Sequence, residues 1–342
     1  MASWLLWLIV VFTIITVGKG KQNVRQVCHF NDLKGLTSFK AGIHVDTSSR
    51  LAKWVGHGCC SWEGITCNET TGRVTGIRLP GFISTNDFVF QSQMRGLLSP
   101  SITLVSCLEV IDLGGLIGLA GRIPPSIGLR LPNLRKLYLY GNKLIGPVPD
   151  SIVRNLQYLG VLDLHSNKLT GPINNVFQIG NAFPDGSLTY IDLSDNYFST
   201  GIVQAGVGSQ TGIRYLNLSH NFLEGRVATT IGRLESLQTL DLSCNKLGFN
   251  LPEALANVSS LEKLKLQKNH FTGRIPVGFL KLKRLKELDL SDNLLAGEIP
   301  AGKPLSDFPQ SSYSGNKGLC GKPLSPCKVK GLLLVEEPLK PC

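Results

Sequence analysis

Beyond its first twenty residues this 342-residue chain has no apolar run long enough to cross a bilayer. The C-terminal stretch GLLLV at 331–335 is five residues long and runs into Glu336 and Glu337, whereas a spanning helix needs about 20 apolar residues. Catalytic signatures are missing too. The six histidines, His29, His44, His57, His165, His220 and His270, include no H-E-x-x-H pair, and no Cys/His spacing suits zinc. GEIPAGKP, starting at Gly297, has Pro304 where a phosphate-binding loop needs a hydroxyl, and GVGSQTG, starting at Gly206, misses the dinucleotide and nucleophile-elbow spacings by one residue. The sequence therefore points to no enzyme, no cofactor and no metal. An acidic balance is also absent: Lys and Arg outnumber Asp and Glu, 35 to 24. Such a surplus favours anionic surroundings, which for an exported chain means acidic polysaccharide or acidic protein before nucleic acid, while the scattering of the basic residues favours simple solubility as its explanation.

What is present begins with an apolar run at 4–17 that leads to the small residues Gly18 and Gly20, as in a cleavable secretory signal. Removal of 1–20 takes away one charged side chain, Lys19, and lowers the formal charge from +11 to +10. Residues 21–342 are expected to be secreted, into the extracellular space or cell wall.

Periodicity carries most of the information. LRKLYLYGN, LGVLDLHSN, LTYIDLSDN, IRYLNLSHN, LQTLDLSCN, LEKLKLQKN and LKELDLSDN share L-x-x-L-x-L-x-x-N, ending at Asn142, Asn167, Asn196, Asn221, Asn245, Asn269 and Asn293. The spacings are 25, 29, 25, 24, 24 and 24 residues, the leucine-rich-repeat period. In L-x-L the leucines point into a stack and the residues between them face solvent on a parallel sheet. The Asn amide supplies donor and acceptor to backbone groups that a tight buried bend leaves unpaired. Since one repeat cannot bury its apolar edge alone, neighbours and caps must cover it. Two weaker rungs extend the array: LEVIDL at 108–113, where GGLIGLAG replaces the Asn turn, and RVTGIRL at 73–79, followed by an insertion at 82–93. Nine strands are expected. The 29-residue interval holds NNVFQIGNAFPDG, read as a bulged loop on the convex or lateral side. The repeated Asp163, Asp192, Asp241 and Asp289 form a column explained by the repeat itself.

After the Asn the chain reads LAGRIP, LIGPVP, FTGRIP and LAGEIP, ending at Pro124, Pro149, Pro276 and Pro300. Before the array stand Asp32, Leu36, Phe39, Lys40, LAKW ending at Trp54, and CCSWEGITC at 59–67; after it comes YSGNKGLCGKPLSPC. From about Cys28 to Cys327 these elements resemble the plant extracellular leucine-rich-repeat superfamily, of receptor-like protein and receptor-kinase ectodomain type. The size and basic balance are also similar to polygalacturonase-inhibiting proteins, while GNKGLCGKPL is closer to receptor ectodomains. The resemblance implies an α/β solenoid: a leucine-rich-repeat right-handed superhelix with a parallel concave β-sheet and disulfide-bonded N- and C-terminal caps. The expected organisation is signal 1–20, N-terminal cap 21–72, array 73–305, C-terminal cap 306–327 and tail 328–342. The resemblance implies recognition of an extracellular protein, peptide or wall ligand in defence or development, with a membrane receptor kinase as a possible partner. The alternative is inhibition of a secreted hydrolase, such as fungal polygalacturonase, or a structural role in the wall. It also implies the disulfides Cys28–Cys59, Cys60–Cys67 and Cys320–Cys327. Cys107 and Cys244, read as belonging to strands five rungs apart, lie about 24 Å from one another at ~4.8 Å per rung, too far to pair. Cys342 sits in the tail.

Three N-x-S/T sequons mark Asn68, Asn217 and Asn257 as glycan acceptors. The solvent-facing strand positions gather aromatics on one half of the array. Tyr138, Tyr140, His165, Tyr190 and Tyr215 form the candidate binding site, because rigid amphipathic rings dominate interfaces. Lys263, Lys265 and Lys268 add a basic patch suited to an acidic partner or polysaccharide.

Overall fold

The computed structural model describes residues 27–84, 89–173, 188–199 and 212–328. The leucine alternation produces nine parallel strands: Val74–Arg78, Val110–Asp112, Lys136–Tyr138, Val161–Asp163, Tyr190–Asp192, Tyr215–Asn217, Thr239–Asp241, Lys263–Lys265 and Glu287–Asp289. They lie side by side in chain order, and Ile65–Cys67 of the N-terminal cap adds an antiparallel tenth strand at the edge. Register is strict, with Leu162 opposite Ile191 and Ile191 opposite Leu216. The central column from Ile77 to Leu288 is buried throughout, and each such side chain contributes about 1.5–3 kcal/mol relative to exposure.

Each Asn closes its bend as a four-way junction. Asn221 Nδ2 donates to the carbonyls of Leu193, Leu218 and Ser219 at 3.0, 3.2 and 3.1 Å, and its Oδ1 accepts from the Phe198 amide at 3.0 Å. The same set recurs at Asn316, within the segment read as cap, which is therefore an eighth member of the ladder. The residue before each ladder Asn holds the left-handed conformation, with φ between 51° and 60° from Gly141 through Ser166, Asp195, His220, Cys244 and Lys268 to Asp292, and 74° at Gly315. Cys244 and Lys268 thus stand in turns. Cys107 also lies in a turn, just before Val110–Asp112, so neither cysteine belongs to a strand. Both thiols are free.

The L-x-G-x-I-P segments form a second parallel sheet, which sequence reading did not separate from the turn. One run joins Met94–Leu97, Ile117–Arg122, Lys143–Gly146, Lys168–Gly171 and Tyr197–Phe198 in parallel, with Ile43–Asp46 of the N-terminal cap antiparallel on Met94–Leu97 at its edge. Another joins Glu224–Gly225, Lys246–Asn250, His270–Gly273, Leu294–Glu298 and Gly318–Cys320. These strands of two to six residues are too short for a period of two to stand out in sequence. On the convex side the chain returns through single helical turns such as Thr229–Arg233, Glu253–Asn257 and Val277–Lys281.

The Asn-less rung has its own solution. Buried Leu116 occupies the Asn position, and Arg50, reaching across from the N-terminal cap, donates to the Leu79 carbonyl at 3.5 Å and to Ser92 Oγ at 3.2 Å. The insertion contributes a hairpin, Phe82–Ser84 with Val89–Gln91, whose Gln91 side chain donates to the Gly115 carbonyl. At the caps, helix Phe30–Ala41 packs on Pro100–Leu104, and disulfides join Cys28 to Cys59, Cys60 to Cys67 and Cys320 to Cys327. Cys59, Cys60 and Cys67 also approach one another closely enough for a metal, but their thiols are committed to those disulfides. Residues 1–20, the loop at 174–186, GVGSQTG and Cys342 lie outside the described residues.

Candidate functional site on the concave sheet

Register converts the repeat into three columns on the concave side, in which Asp163, Asp192 and the serines of the third column are buried among their neighbours. The first reads Lys136, Val161, Tyr190, Tyr215, Thr239, Lys263 and Glu287; the central one reads Tyr138, Asp163, Asp192, Asn217, Asp241, Lys265 and Asp289. The third column follows each second leucine and contains Tyr140, His165, Ser194, Ser219, Ser243, Gln267 and Ser291.

The aromatic residues come together as two stacks. Tyr140 and His165 lie with ring centroids 4.7 Å apart and planes within 4°; Tyr190 and Tyr215 lie at 4.4 Å, also within 4°. Gly114, on the preceding rung, has no Cβ, and that is where the Tyr140 ring lies. Between the stacks runs the acidic centre. Asp163 Oδ1 meets His165 Nδ1 at 2.6 Å, and Asp192 Oδ2 accepts from the Tyr215 hydroxyl at 3.3 Å and from Asn217 Nδ2 at 3.2 Å. Tyr138 stands in the same column one rung before Asp163, half-buried.

The central Asp column also has a local structural role. Asp192, Asp241 and Asp289 each accept, through Oδ1, the amide and hydroxyl of the serine two residues on. That leaves the second oxygen of Asp192 facing the tyrosines. Burial raises the Asp192 carboxyl above its usual range, only partly opposed by the Ser194 bonds, and burial also raises Asp112 at the head of the column. His165 is raised chiefly by its bond to Asp163, against a smaller desolvation effect. Burial and neighbouring carboxylates raise the Tyr190 hydroxyl, so all four tyrosines present O–H groups at neutral pH. The surface is thus a line of carboxylates walled by rings, with the chemistry to hold a cation or a polarised donor. Sequence reading found the rings; Asp163 and Asp192, set down to the repeat, belong to the same surface.

The lysines are placed differently. Lys263 and Lys265 lie two and more rungs further along and share Glu287 at 2.6 and 4.0 Å. Lys268 stands apart in its turn. Lys263 and Lys265 are thus not free cations, because Glu287 sits on the adjoining rung.

The sequons differ in the same way. Asn68 and Asn257 are exposed. Asn217 takes the place of Asp in the central column: its Oδ1 accepts from the Ser219 amide at 3.1 Å and hydroxyl at 2.8 Å, while its Nδ2 is engaged by Asp192. Glycopeptide mass spectrometry of protein expressed in plant cells is expected to find sugar on Asn68 and Asn257 and Asn217 bare. Full occupancy of Asn217 would place a glycan beside Tyr215 and remove this surface from consideration.

Comparison with known proteins gives the frame for this geometry. A leucine rich repeat N-terminal domain model matches residues 29–68, and leucine rich repeat models match 133–155, 211–271 and 284–302. The chain is similar to the DNA damage-repair/toleration protein DRT100 of Arabidopsis thaliana, 33% identical over 129 residues, covering 36% of this chain and 34% of that protein. It therefore spans about a third or less of the length of the curated relatives it matches. Among solved structures it is similar to the Arabidopsis receptor kinase HAESA in complex with the peptide hormone IDA and the co-receptor SERK1, at 28% identity and TM-score 0.59, over 69% of this chain and 37% of that one. It is also similar to a plant ice-binding protein, at 26% identity and TM-score 0.62, over 89% and 99% of the two chains. Among the described residues no helix is long and apolar enough to cross a membrane.

Proposed function

We propose, from the premise that this chain is a leucine-rich-repeat protein of the plant extracellular superfamily, that it is a secreted recognition protein. Its concave sheet would take up an extracellular peptide or protein segment that presents a cationic side chain. The observation that carries this reading is the line of Asp163 and Asp192 between the Tyr140–His165 and Tyr190–Tyr215 stacks. Carboxylates held in a partly dry setting favour a guanidinium or ammonium, and ring faces beside them add cation–π attraction. The complex of HAESA with a peptide hormone is a property of that receptor; it supports looking for a peptide here, on this chain's own surface. Secretion is consistent with three cap disulfides, which form in oxidising compartments.

The test is capture from extracellular fluid by the mature protein, with mass-spectrometric identification of what binds. The Tyr138→Ala, Tyr140→Ala, Tyr190→Ala triple variant should bind the captured peptide at least about 2 kcal/mol more weakly with an unchanged fold. Replacing the peptide's Arg and Lys with Gln should have a comparable effect. Binding that survives both changes and is lost on altering the convex turns would show the assignment to be wrong.

A further inference from the structure

Toward the N-terminus the concave site runs into the place where the repeat breaks. Gly114 stands in the third column one rung before Tyr140, and Gly115 follows it in the Asn-less turn. The Tyr140 ring fills the space beside Gly114: a Cβ there would lie 2.2 Å from Cε1 and 2.5 Å from Cδ1 of that ring. Gly115, at φ 70°, admits a second ring, since a Cβ on it would lie 3.1 Å from Cδ2 of Phe82 and 3.5 Å from Cε2 of Tyr140. Phe82 and Tyr140 therefore close on one spot, one from the preceding rung and one from the following rung. The file of rings that includes the Tyr140–His165 stack is continued by Phe82, which stays 53% exposed.

Phe82 opens the inserted hairpin, and the hairpin is held at its foot. Gly81 donates its amide to the Gly114 carbonyl at 2.7 Å, Ser92 donates its amide to the Gly81 carbonyl at 2.6 Å, and the Gln91 side chain donates to the Gly115 carbonyl. The buried Ser92 hydroxyl accepts from Arg50 at 3.2 Å and donates to Ser48 Oγ at 2.9 Å. Gly81 allows this close approach, because a Cβ on it would meet the Gly115 carbonyl oxygen at 1.9 Å. Pairing of Phe82 with Gln91 sets both on the hairpin face toward Gly115, and alternation sets Phe90 on the other face, where it is 45% exposed. A ring anchored in this way loses less freedom on binding than one on a free loop. The insertion, the glycine pair and the missing ladder Asn thus meet at one place, the N-terminal margin of the aromatic surface.

We propose that this hairpin is the selectivity element of the concave site, requiring of the bound peptide an apolar side chain at a fixed distance from the basic one. The proposal rests on the reading that an extended cationic peptide lies on the concave sheet. Phe82 meets Gly115 beside the rung of Asp112, which is two rungs before Asp163 and three before Asp192. At ~4.8 Å per rung these offsets are roughly 10 and 14 Å, and an extended chain advances ~3.3 Å per residue, so they correspond to about three and about four residues. The group that meets Phe82 is apolar because the ring offers no polar atom and the backbone beneath it is already engaged. The Gly114 carbonyl is taken by Gly81, the Gly115 amide donates to the Tyr140 carbonyl at 2.7 Å, and the Gly115 carbonyl is taken by Gln91.

The probe is a phage-displayed library of random linear dodecapeptides, selected on the full, disulfide-bonded chain. Retained sequences should share a basic residue with an apolar one about three or four positions away. A synthetic peptide of that consensus should bind Phe82→Ser at least about tenfold more weakly than the parent, at an unaltered melting temperature, and should bind Phe90→Ser as it binds the parent. Changing the peptide's apolar residue to Ser should cost the same factor on the parent and nothing further on Phe82→Ser, the coupling of two groups in contact. The peptide-side change, made on the unaltered chain, keeps the test open should Phe82→Ser fold poorly. Retained sequences with a basic residue but no apolar one at a fixed spacing, equal weakening by Phe82→Ser and Phe90→Ser, or independent effects of the two changes would overturn this proposal and leave the cationic-peptide reading standing. Retention of peptides without a basic residue, or of none at all, would overturn both.

Discussion

Asn221→Ala is expected to destabilise the protein by about 2–4 kcal/mol, from ~1–3 kcal/mol for the one buried amide left unpaired and ~0.5–1.5 kcal/mol for a hydrogen bond lost beside it. The Phe198 amide loses the partner that the structure shows it, whereas each carbonyl keeps a second donor: Leu193 keeps Asn196 Nδ2 at 3.2 Å, Leu218 keeps Asn245 Nδ2 at 3.0 Å, and Ser219 keeps the Asp195 amide at 3.0 Å. The bonds of Asn221 cross from its own rung to the preceding one, so the loss belongs to an interface between repeats, where a solenoid stores most of its stability. Hydrogen exchange should therefore show residues 188–199 and 213–223 opening together rather than a local fray. The adjoining His220→Gly is the informative control. His220 sits at φ 54°, a conformation that is uncomfortable for a residue with a Cβ, so glycine there should leave the guanidinium midpoint unchanged or raise it slightly. Equal midpoints for Asn221→Ala and the parent would show that the amide junction contributes little.

The ladder also shows where sequence reasoning is strong. A pattern that fixes both the inward leucines and the bend-closing Asn repeats every 24 or 25 residues, so the strands, their register and the columns follow almost residue by residue. The nine parallel strands match the reading. Three features escaped it, each for a physical reason. The second sheet was hidden because strands as short as Glu224–Gly225 cannot show a period. The repair of the Asn-less turn escaped because Arg50 acts from 29 residues before its partner Leu79, outside any repeat. The exposed lysines and arginines of that sheet, such as Lys143 and Arg122, went unseen because they come from two motif positions, one after the Asn and one after the Gly, in strands that sequence did not reveal.

Charge was the least legible property. A formal balance of +11 suggests an acidic partner for the whole surface, yet the concave centre holds Asp112, Asp163 and Asp192, and the lysines that seemed to offset them share Glu287. Net charge is a sum over faces, and a solenoid keeps its faces apart.

Arg73→Met is expected to cost about 3–5 kcal/mol, the range for removing one partner of a buried charge pair, and to cost clearly more than Asp32→Asn. The asymmetry follows from burial. Asp32, on the first turn of helix Phe30–Ala41, has no exposed surface, while the Arg73 side chain is 21% exposed. The pair is bidentate, Nε to Oδ2 and Nη2 to Oδ1, both at 2.9 Å, and Asp32 also accepts the Val74 amide at 3.0 Å, tying the capping helix to the first parallel strand. Without Arg73 a carboxylate stays in the core with one amide for company. Without the Asp32 charge, Asn still accepts from Val74, and Arg73 keeps Ser106 Oγ at 3.0 Å and can turn its remaining donors to water, for a loss of about 1–2 kcal/mol. Because the pair is screened from solvent, its contribution should persist at 0.5 M salt, unlike that of exposed Lys53–Glu63. Chemical denaturation of both variants and the double variant, with the disulfides intact, measures the coupling. An Arg73→Met midpoint equal to or above that of Asp32→Asn would mean that the disulfides alone hold the cap against the array.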